Sequence, residues 1–400
     1  MPADLTTVTA ITKEVYGPRI VDQLENETVL TKRIEKTSEG TTSTAGGKYV
    51  TFPLKTRRNT GIGYRNENEQ LQQPGQQGFN DVRVPLRYGY GRIRLTGQVM
   101  DLVKENFQAF SSAITEEMNG LKEDLKKDTN RILWGDGVGV LAVVGATAAS
   151  GSSDLEVEAG PGNTRWLDMD MRIDILSADG ATVKAAGAII TYVDEVAGDV
   201  TISPALSSGL VAGDIIVRQG NYKREPQGLT SLVSDSADPL FGLSKTEEPL
   251  WQSQVNRTGG ALSESKMIEM CDDLRSKGNG PSVIFSDLAT RRAYFNLLVQ
   301  QRRFSGTKDF NGGFTGLAFI YDTDIPFMVD PDAPRGKMWC LKEDTFKIYR
   351  RNPWDWEDRD GSVWKWVTDY DAYQALMKQY WEFAVNRRNA NAVMEGITPG

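Results

Sequence analysis

The sequence predicts an α+β chain from three observations: an arginine-studded β-ribbon near the N-terminus, one long amphipathic helix directly after it, and a β-rich segment punctuated by Gly-Asp turns between helical stretches. Charge segregates with these features. From Lys48 to Leu95 nine bases stand against three acids, a local balance of +6, whereas Asp154 to Ile215 carries three bases and eleven acids, a balance of −8. The whole chain of 400 residues has a net charge of −8, with 39% hydrophobic and 25% charged residues, enough apolar content to bury a core. At roughly 100–200 residues per domain, that length predicts two to four structural units.

The ribbon is read from alternation. Val50, Phe52 and Leu54 share one side of the first strand, and Val82, Val84, Leu86, Tyr88 and Tyr90 share one side of the second, with Arg83 and Arg87 opposite. Parity then reverses, since Ile93 and Leu95 are apolar and Arg92 and Arg94 polar, and the slip at Gly89–Gly91 predicts a β-bulge. Between the strands, Asn59 to Gly78 is rich in Gly, Asn and Gln and has few apolar residues to anchor it. A two-stranded ribbon is marginal alone, so it is expected to lie on another surface; its own domain could supply one, but its length and arginine edge suit a neighbouring molecule.

The helix is read from spacing. Val99, Val103, Phe107, Phe110, Ile114, Met118, Leu121, Leu125 and Ile132 recur at steps of three and four, skipping only Asp128. A helix from about Met100 to Trp134, about 50 Å long, is expected to stop at Gly135-Asp136-Gly137. The phenylalanines and Gly120 favour a spine packed on a sheet over a coiled-coil seam.

Leu155 to Val217 then reads as short strands of a small barrel or sandwich, with turns at Asp179-Gly180, Gly198-Asp199 and Gly213-Asp214. Gly151-Ser152-Ser153 and Lys223-Arg224-Glu225-Pro226 are expected to be the linkers of this insertion. Met267, Ile268, Cys271 and Leu274 predict a helix ending at Gly278, Val283-Ile284-Phe285 a buried strand, and Asp287 to about Gln301 a further helix. The last stretch is β-rich. Trp354/Trp356 and Trp364/Trp366 have equal parity across Asp360-Gly361, which predicts a hairpin with stacked tryptophans. Tyr373 to Arg388 fits either a helix or a strand.

Composition excludes much chemistry. With His 0, no Ser-His-Asp triad, Cys-His pair or histidine-liganded metal site exists. Cys271 and Cys340 are too few for a disulfide scaffold and are expected to fill space. The longest apolar stretch, Val138 to Ala149, falls short of the roughly 20 residues of a membrane helix, and the N-terminus lacks a secretory pattern; a soluble protein made inside the cell is expected. Gly135-Asp136-Gly137-Val138-Gly139 lacks the strand and third glycine of a dinucleotide loop. Asp355, Glu357, Asp358 and Asp360 fail the calcium-loop frame, because Trp356 and Val367 occupy ligand positions, and read as a solvated edge. Six of nine tryptophans fall between Trp339 and Trp381, so carbohydrate binding or hydrolysis is the alternative from a different class, although acids and Lys365 opposite the indoles favour a core. No catalytic, cofactor or metal residue is assigned.

The order of parts resembles the major capsid protein of tailed bacteriophages, the Hong Kong 97-like fold. The resemblance spans about Val29 to Ile397. Its most specific part is Asp324-Ile325-Pro326-Phe327-Met328-Val329-Asp330-Pro331-Asp332-Ala333-Pro334-Arg335-Gly336, then Trp354-Asp355-Trp356-Glu357-Asp358-Arg359-Asp360-Gly361, Asp371-Ala372-Tyr373 and Asn386-Arg387-Arg388-Asn389-Ala390. The resemblance implies an N-terminal arm (1–40), an extended loop (E-loop, 41–97), a peripheral (P) domain with the spine helix (98–140 and 330–400), and an axial (A) domain (141–329) containing the β-rich insertion (155–220). It further implies hexamers and pentamers forming an icosahedral shell around double-stranded DNA, without sequence-specific DNA binding, cofactor or membrane. The expected location is the virion after assembly in the host cytoplasm, with portal and decoration proteins as partners. Only about 40 residues precede the ribbon, where many relatives carry a long scaffolding segment, so a separate scaffolding protein or unaided assembly is expected. Some relatives form Lys–Asn isopeptide links; Lys48, Lys55, Asn352 and Asn389 lie in the corresponding regions without a position-by-position match. The expected inter-subunit contacts are Lys48, Lys55, Arg57, Arg58, Arg83, Arg87, Arg92 and Arg94, meeting acidic faces of a neighbour. A cellular encapsulating compartment is the alternative within the same fold.

Overall fold

The computed structural model describes residues 29–39, 41, 48–97, 107–158, 163–194, 197–278, 280–302, 317–321, 324–358 and 361–398. The chain divides into two units, Met1–Trp134 with Leu229–Gly400, and Gly135–Gly228. The expected N-terminal arm falls outside the described residues up to position 28.

In the first unit, α1 (Val29–Arg33) leads into β1 (Glu35–Thr37). Leu30 and Ile34 are buried, and an ion pair between Arg33 and Glu343 fixes the entry, raising the Arg33 pKa chiefly through the hydrogen bond to Glu343. β2 (Tyr49–Arg57) and β3 (Gly78–Pro85) form the antiparallel ribbon, with Val50 opposite Val84 and Phe52 opposite Val82. After Leu86 the chain continues as β4 (Arg87–Thr96), and α2 (Phe107–Trp134) follows. The helix ends where Gly135-Asp136-Gly137 was expected to stop it, with Gly137 at φ +79°. The start of the predicted helix, up to 106, and the side chains through 117 lie outside the described residues.

The second unit is a closed barrel. β5 (Val140–Val143), β6 (Asp154–Glu156), β7 (Arg172–Leu176), β8 (Val183–Val193), β9 (Asp199–Ser203) and β10 (Ile215–Arg218) pair in the order β5-β10-β7-β8-β9-β6. The two ends join through Gly145 N donating to Glu156 O and Glu158 N to Val143 O, both at 2.8 Å. Closure removes the exposed edges a six-stranded sheet would otherwise present. Ile173, Ile175, Ile190, Val200, Ile202 and Ile216 fill the interior. The unit is wider than the 155–220 read from sequence because β5 belongs to it. Gly151-Ser152-Ser153 is therefore no linker: it lies inside the barrel, where Gly151 N donates to Leu206 O.

The first unit resumes with α3 (Leu229–Leu232), β11 (Gln254–Asn256), α4 (Glu264–Ser276), β12 (Val283–Ser286), α5 (Leu288–Arg302), β13 (Leu317–Ile320), β14 (Asp324–Val329) and β15 (Met338–Leu341). Chain exit and return meet directly, since Thr230 Oγ1 donates to Trp134 O at 2.6 Å. β16 (Phe346–Trp356), β17 (Trp364–Trp366), β18 (Ala372–Val385) and β19 (Ala392–Met394) complete the chain. One mixed sheet runs β11-β19-β15-β12-β14-β13. Alternation divides its two faces: Val283, Phe285, Trp339, Leu341 and Val393 pack with Trp134, and Ile284, Met338, Cys340, Ala392 and Met394 pack with α4 through Met267, Cys271 and Leu274. Both cysteines are buried there. Ile268 is exposed, as are Leu288 and Phe295; α5 instead buries Ala289, Ala293 and Tyr294.

The other sheet has β18 at its centre, with β16 and β17 pairing along it and β4 beside it. The ambiguous C-terminal segment is thus a strand. Two expectations fail here. Trp354/Trp356 and Trp364/Trp366 form no hairpin with each other, because β16 and β17 each pair with β18. Trp354, Trp356 and Trp364 still share one core with Met118, Leu121 and Leu125 of α2, while Trp366 is exposed. Nor is there a bulge at Gly89–Gly91, since the β4–β18 register is unbroken from Thr96–Ala372 to Arg87–Trp381. Parity reverses at Leu86, where the strand changes partner. The glycines serve clearance: a Cβ at 89 would lie 2.9 Å from Cη2 of Trp354, and one at 91 would lie 3.1 Å from Cδ1 of Leu125. No helix among the described residues is long and apolar enough to cross a membrane.

Candidate assembly interface

The base of the ribbon is seated on its own chain. Val50, Val82 and Val84 join a core with Leu240, Phe241, Trp251 and Tyr349, and Phe52 stacks on Tyr349 at 6.3 Å. Polar contacts add to this. Arg83 N donates to Phe241 O at 3.1 Å, Asn80 Nδ2 to Glu248 Oε1 at 2.6 Å, and Arg57 pairs with Glu248 at 3.0 Å. The sequence-based expectation that the whole ribbon lacks a resting place on its own chain is therefore corrected; what remains unseated is the tip.

From 58 to 77 the tip has no strand or helix, and Ile62, Tyr64 and Leu71 are 82%, 97% and 80% exposed. Its conformation is nevertheless held locally. Gly61 N donates to Asn59 Oδ1 at 2.7 Å, Gln72 Nε2 to Gly61 O at 2.7 Å, and Arg65 Nε to Gln70 O at 3.0 Å. Asn66 N donates to Glu69 Oε2 at 2.9 Å. The tip is charge-neutral, Arg58 and Arg65 against Glu67 and Glu69, so the positive balance of this region resides on the strands.

Those bases occupy different environments. Lys48, Lys55, Arg58, Arg83 and Arg92 are exposed and have no ion pair among the described residues. Arg57 is engaged by Glu248. Arg94 lies over the Tyr370 ring at 4.2 Å. Arg87 reaches Glu382 of β18 at 3.7 Å, a carboxylate with no exposure. Glu382 is not legible as a partner in the sequence, because the two lie on strands far apart in the chain.

Beside them runs an aromatic face. Tyr380 of β18 meets Tyr88 edge-on at 4.9 Å and Tyr90 at 6.4 Å. The Tyr90 phenol is held above its ordinary value, by burial first and then by its hydrogen bond to Tyr380. The acidic turn is no solvated edge throughout, since Glu357 is buried and ion-paired with Lys378. The tryptophans that suggested a sugar platform are mostly core. No group of three or more Asp, Glu or Cys among the described residues is arranged to hold a metal.

The barrel carries the acid. Gly135–Gly228 contains six bases and thirteen acids, a balance of −7. Inside it, Asp214 is buried, pairs with Lys184 at 2.7 Å and accepts from Val211 N at 2.8 Å.

No protein-family model and no curated protein matches the chain. Among solved structures, the capsid asymmetric unit of cyanophage A-1(L) superposes with a TM-score of 0.54 at 12% identity, over 92% of this chain and 90% of that one. The chain therefore has the fold of a phage capsid subunit. The capsid of a native GTA particle matches at a TM-score of 0.47 and 10% identity, covering 97% and 99% of the two chains. The SrpI encapsulin of Synechococcus elongatus PCC 7942 matches at 0.46 and 9%, covering 94% and 89%.

Proposed function

We propose that this chain is a major capsid protein, assembling as hexamers and pentamers into an icosahedral shell that encloses double-stranded phage DNA. The observation carrying the reading is the phage-capsid fold, matched over 92% of the chain. The preformed ribbon tip, extended beyond any core of its own with three large apolar side chains in solvent, supports it. The sheet centred on β18, with α2 across it, serves as the peripheral domain. The sheet from β11 to β13 with α4 and α5 serves as the axial domain, and the acidic barrel is a surface insertion. The partners are other copies of the chain, with a scaffolding protein, a portal and a decoration protein in the complete particle. The role is structural rather than catalytic, the location the virion, and assembly takes place in the host cytoplasm.

Mechanistically, the subunit completes its own core and leaves the tip and the exposed bases for neighbours. Assembly that binds only folded subunits then adds stability by mass action. An acidic chain suits a container, because DNA held by few fixed cations stays free to move through it. Electron microscopy of the purified protein tests the reading. Closed hollow particles are expected, and a protein that remains monomeric at every concentration overturns it. Particles filled with enzyme cargo rather than DNA would replace phage shell with cellular compartment.

A further inference from the structure

The chain has two cysteines in 400 residues, and the fold brings them together. Cys271 lies on α4 with Met267 and Leu274, at the i, i+4, i+7 spacing of one helix face, and that face packs on the sheet. Cys340 lies on β15 between Ile284 of β12 and Ala392 of β19, with its side chain on the same side of the sheet. Neither residue has any exposure, and the two thiols hydrogen-bond to each other. Their positions are unequal. The residues after Cys271 in the helix, Asp272 and Asp273, are exposed, whereas Cys340 is enclosed by paired strands on both sides. The hydrogen bond from Cys340 holds the Cys271 thiol below its ordinary value, against the opposing effect of burial. Cys340 is pushed well above its own, by the same hydrogen bond first and then by burial. One sulfur is thus set up as the nucleophile and the other as the thiol that follows it.

We propose that Cys271 and Cys340 form a redox modification site, which hydrogen peroxide converts to a disulfide that locks α4 onto the sheet. The inference concerns the single subunit and stands apart from the shell reading. The Cys271 thiolate attacks one oxygen of the peroxide, the O–O bond breaks, and hydroxide leaves and is protonated to water. Cys271 then carries a sulfenic acid. Cys340 gives up its proton and attacks that sulfur; the S–O bond breaks, and hydroxide leaves with that proton as a second water. In all, the two thiols lose two electrons and the peroxide is reduced to two waters. Packing alone asks for no sulfur at either position, since any small apolar residue would fill the space. Only two sulfurs in contact can be joined. The bond closes a loop of about 70 residues, so it removes much of the freedom of the unfolded chain.

The test treats the full chain with dilute hydrogen peroxide, then unfolds it in the presence of iodoacetamide. Untreated protein should take up two alkyl groups per chain, one on each cysteine, and treated protein none. A non-reducing digest of the treated protein should contain the peptides of Cys271 and Cys340 joined within one chain. Treated protein should unfold in urea at a midpoint higher by about 1 M, and dithiothreitol should restore the original value. C340A should show no such shift and should instead trap the sulfenic acid as a dimedone adduct on Cys271. The wild-type measurements need no variant, so they decide the matter even where C340A fails to fold. Two alkylated thiols persisting after peroxide overturn the proposal, as does a disulfide joining two chains. Sulfinic acid on Cys271 beside a free Cys340 thiol also overturns it, because the second attack has then failed. A disulfide that forms but lowers the urea midpoint is no lock and overturns it as well.

Discussion

Arg388 is 2% exposed, yet among the described residues no carboxylate forms an ion pair with it. Its guanidinium instead donates to four carbonyls: Nε to Leu232 at 3.0 Å, one terminal nitrogen to Trp251 at 3.2 Å, and the other to Ser231 at 3.3 Å and Ser234 at 2.8 Å. This fork ties the end of α3, and the loop carrying Trp251, to the turn before β19. Arg388→Met keeps the bulk and removes every donor. Leu232 O and Ser234 O keep second donors from Ser253, while Trp251 O and Ser231 O are stranded. Two stranded acceptors cost about 1.5–3 kcal/mol each and two part-satisfied ones about 0.5–1.5 each, a loss of about 4–9 kcal/mol. Burial pushes Arg388 down to about 10, a cost of about 3 kcal/mol that the substitution returns. The net loss is then about 3 kcal/mol. Urea unfolding of unassembled subunits, followed by tryptophan fluorescence, should show a midpoint lower by about 1 M for a slope near 3 kcal/mol per M. Arg388→Lys keeps the charge but cannot span four carbonyls, and it should be no better than methionine. A lysine variant of wild-type stability would show that charge, rather than the planar fork, holds the segment, and would refute the reasoning.

Charge reversal should separate two ribbon arginines that look alike in sequence. Arg83 is exposed and has no ion pair among the described residues, so Arg83→Glu should leave subunit unfolding within about 0.5 kcal/mol of wild type and lower particle yield. Arg87→Glu sets a second carboxylate beside buried Glu382 and should cost the subunit about 2 kcal/mol in urea unfolding, discounted because Arg87 itself is about one-third exposed. Equal stability of the two variants would argue against the Arg87–Glu382 contact. Gly89→Ala places a Cβ 2.9 Å from the Trp354 ring and should lower the thermal midpoint through a loss of about 1–3 kcal/mol. An unchanged midpoint would show that the indole has room to shift.

Local pattern carried the elements and failed at their pairing. Period-two alternation in Tyr49–Leu54 and Val82–Leu86 was enough for the ribbon, and three-four spacing was enough for α2, because each is a property of neighbouring residues. Parity alone cannot distinguish a bulge from a change of partner. The alternation predicts a bulge at Gly89–Gly91, whereas the chain changes partner after Leu86, since β3 pairs β2 and β4 pairs a strand nearly 300 residues later. The tryptophan pairs illustrate the same limit: equal parity across an Asp-Gly turn fits a hairpin and also fits two strands flanking a third. Arg388 and Glu382 were illegible as site residues because their partners lie on distant segments. The ribbon arginines were legible as a group, but only the fold separates Arg83, with no ion pair among the described residues, from Arg57, Arg87 and Arg94, each already engaged.

The division between a seated base and an unseated tip has a consequence for the isolated subunit. Residues 58–77 place no side chain in any buried core cluster, so they contribute little to holding the monomer together. Replacing this stretch by a four-residue Asn-Gly turn shortens the loop between β2 and β3 about fivefold, and closure entropy then favours the folded state by about 1.4 kcal/mol. Removing exposed Ile62, Tyr64 and Leu71 costs the folded monomer almost nothing, since they are already in water there. The truncated subunit should therefore unfold at the same urea concentration as wild type or slightly higher, and should fail to build particles. The two readouts move in opposite directions only if the tip is kept for another molecule. A truncated chain that loses stability along with assembly would mean that the tip belongs to its own subunit's fold, and the assignment of the ribbon to a neighbour would fall with it.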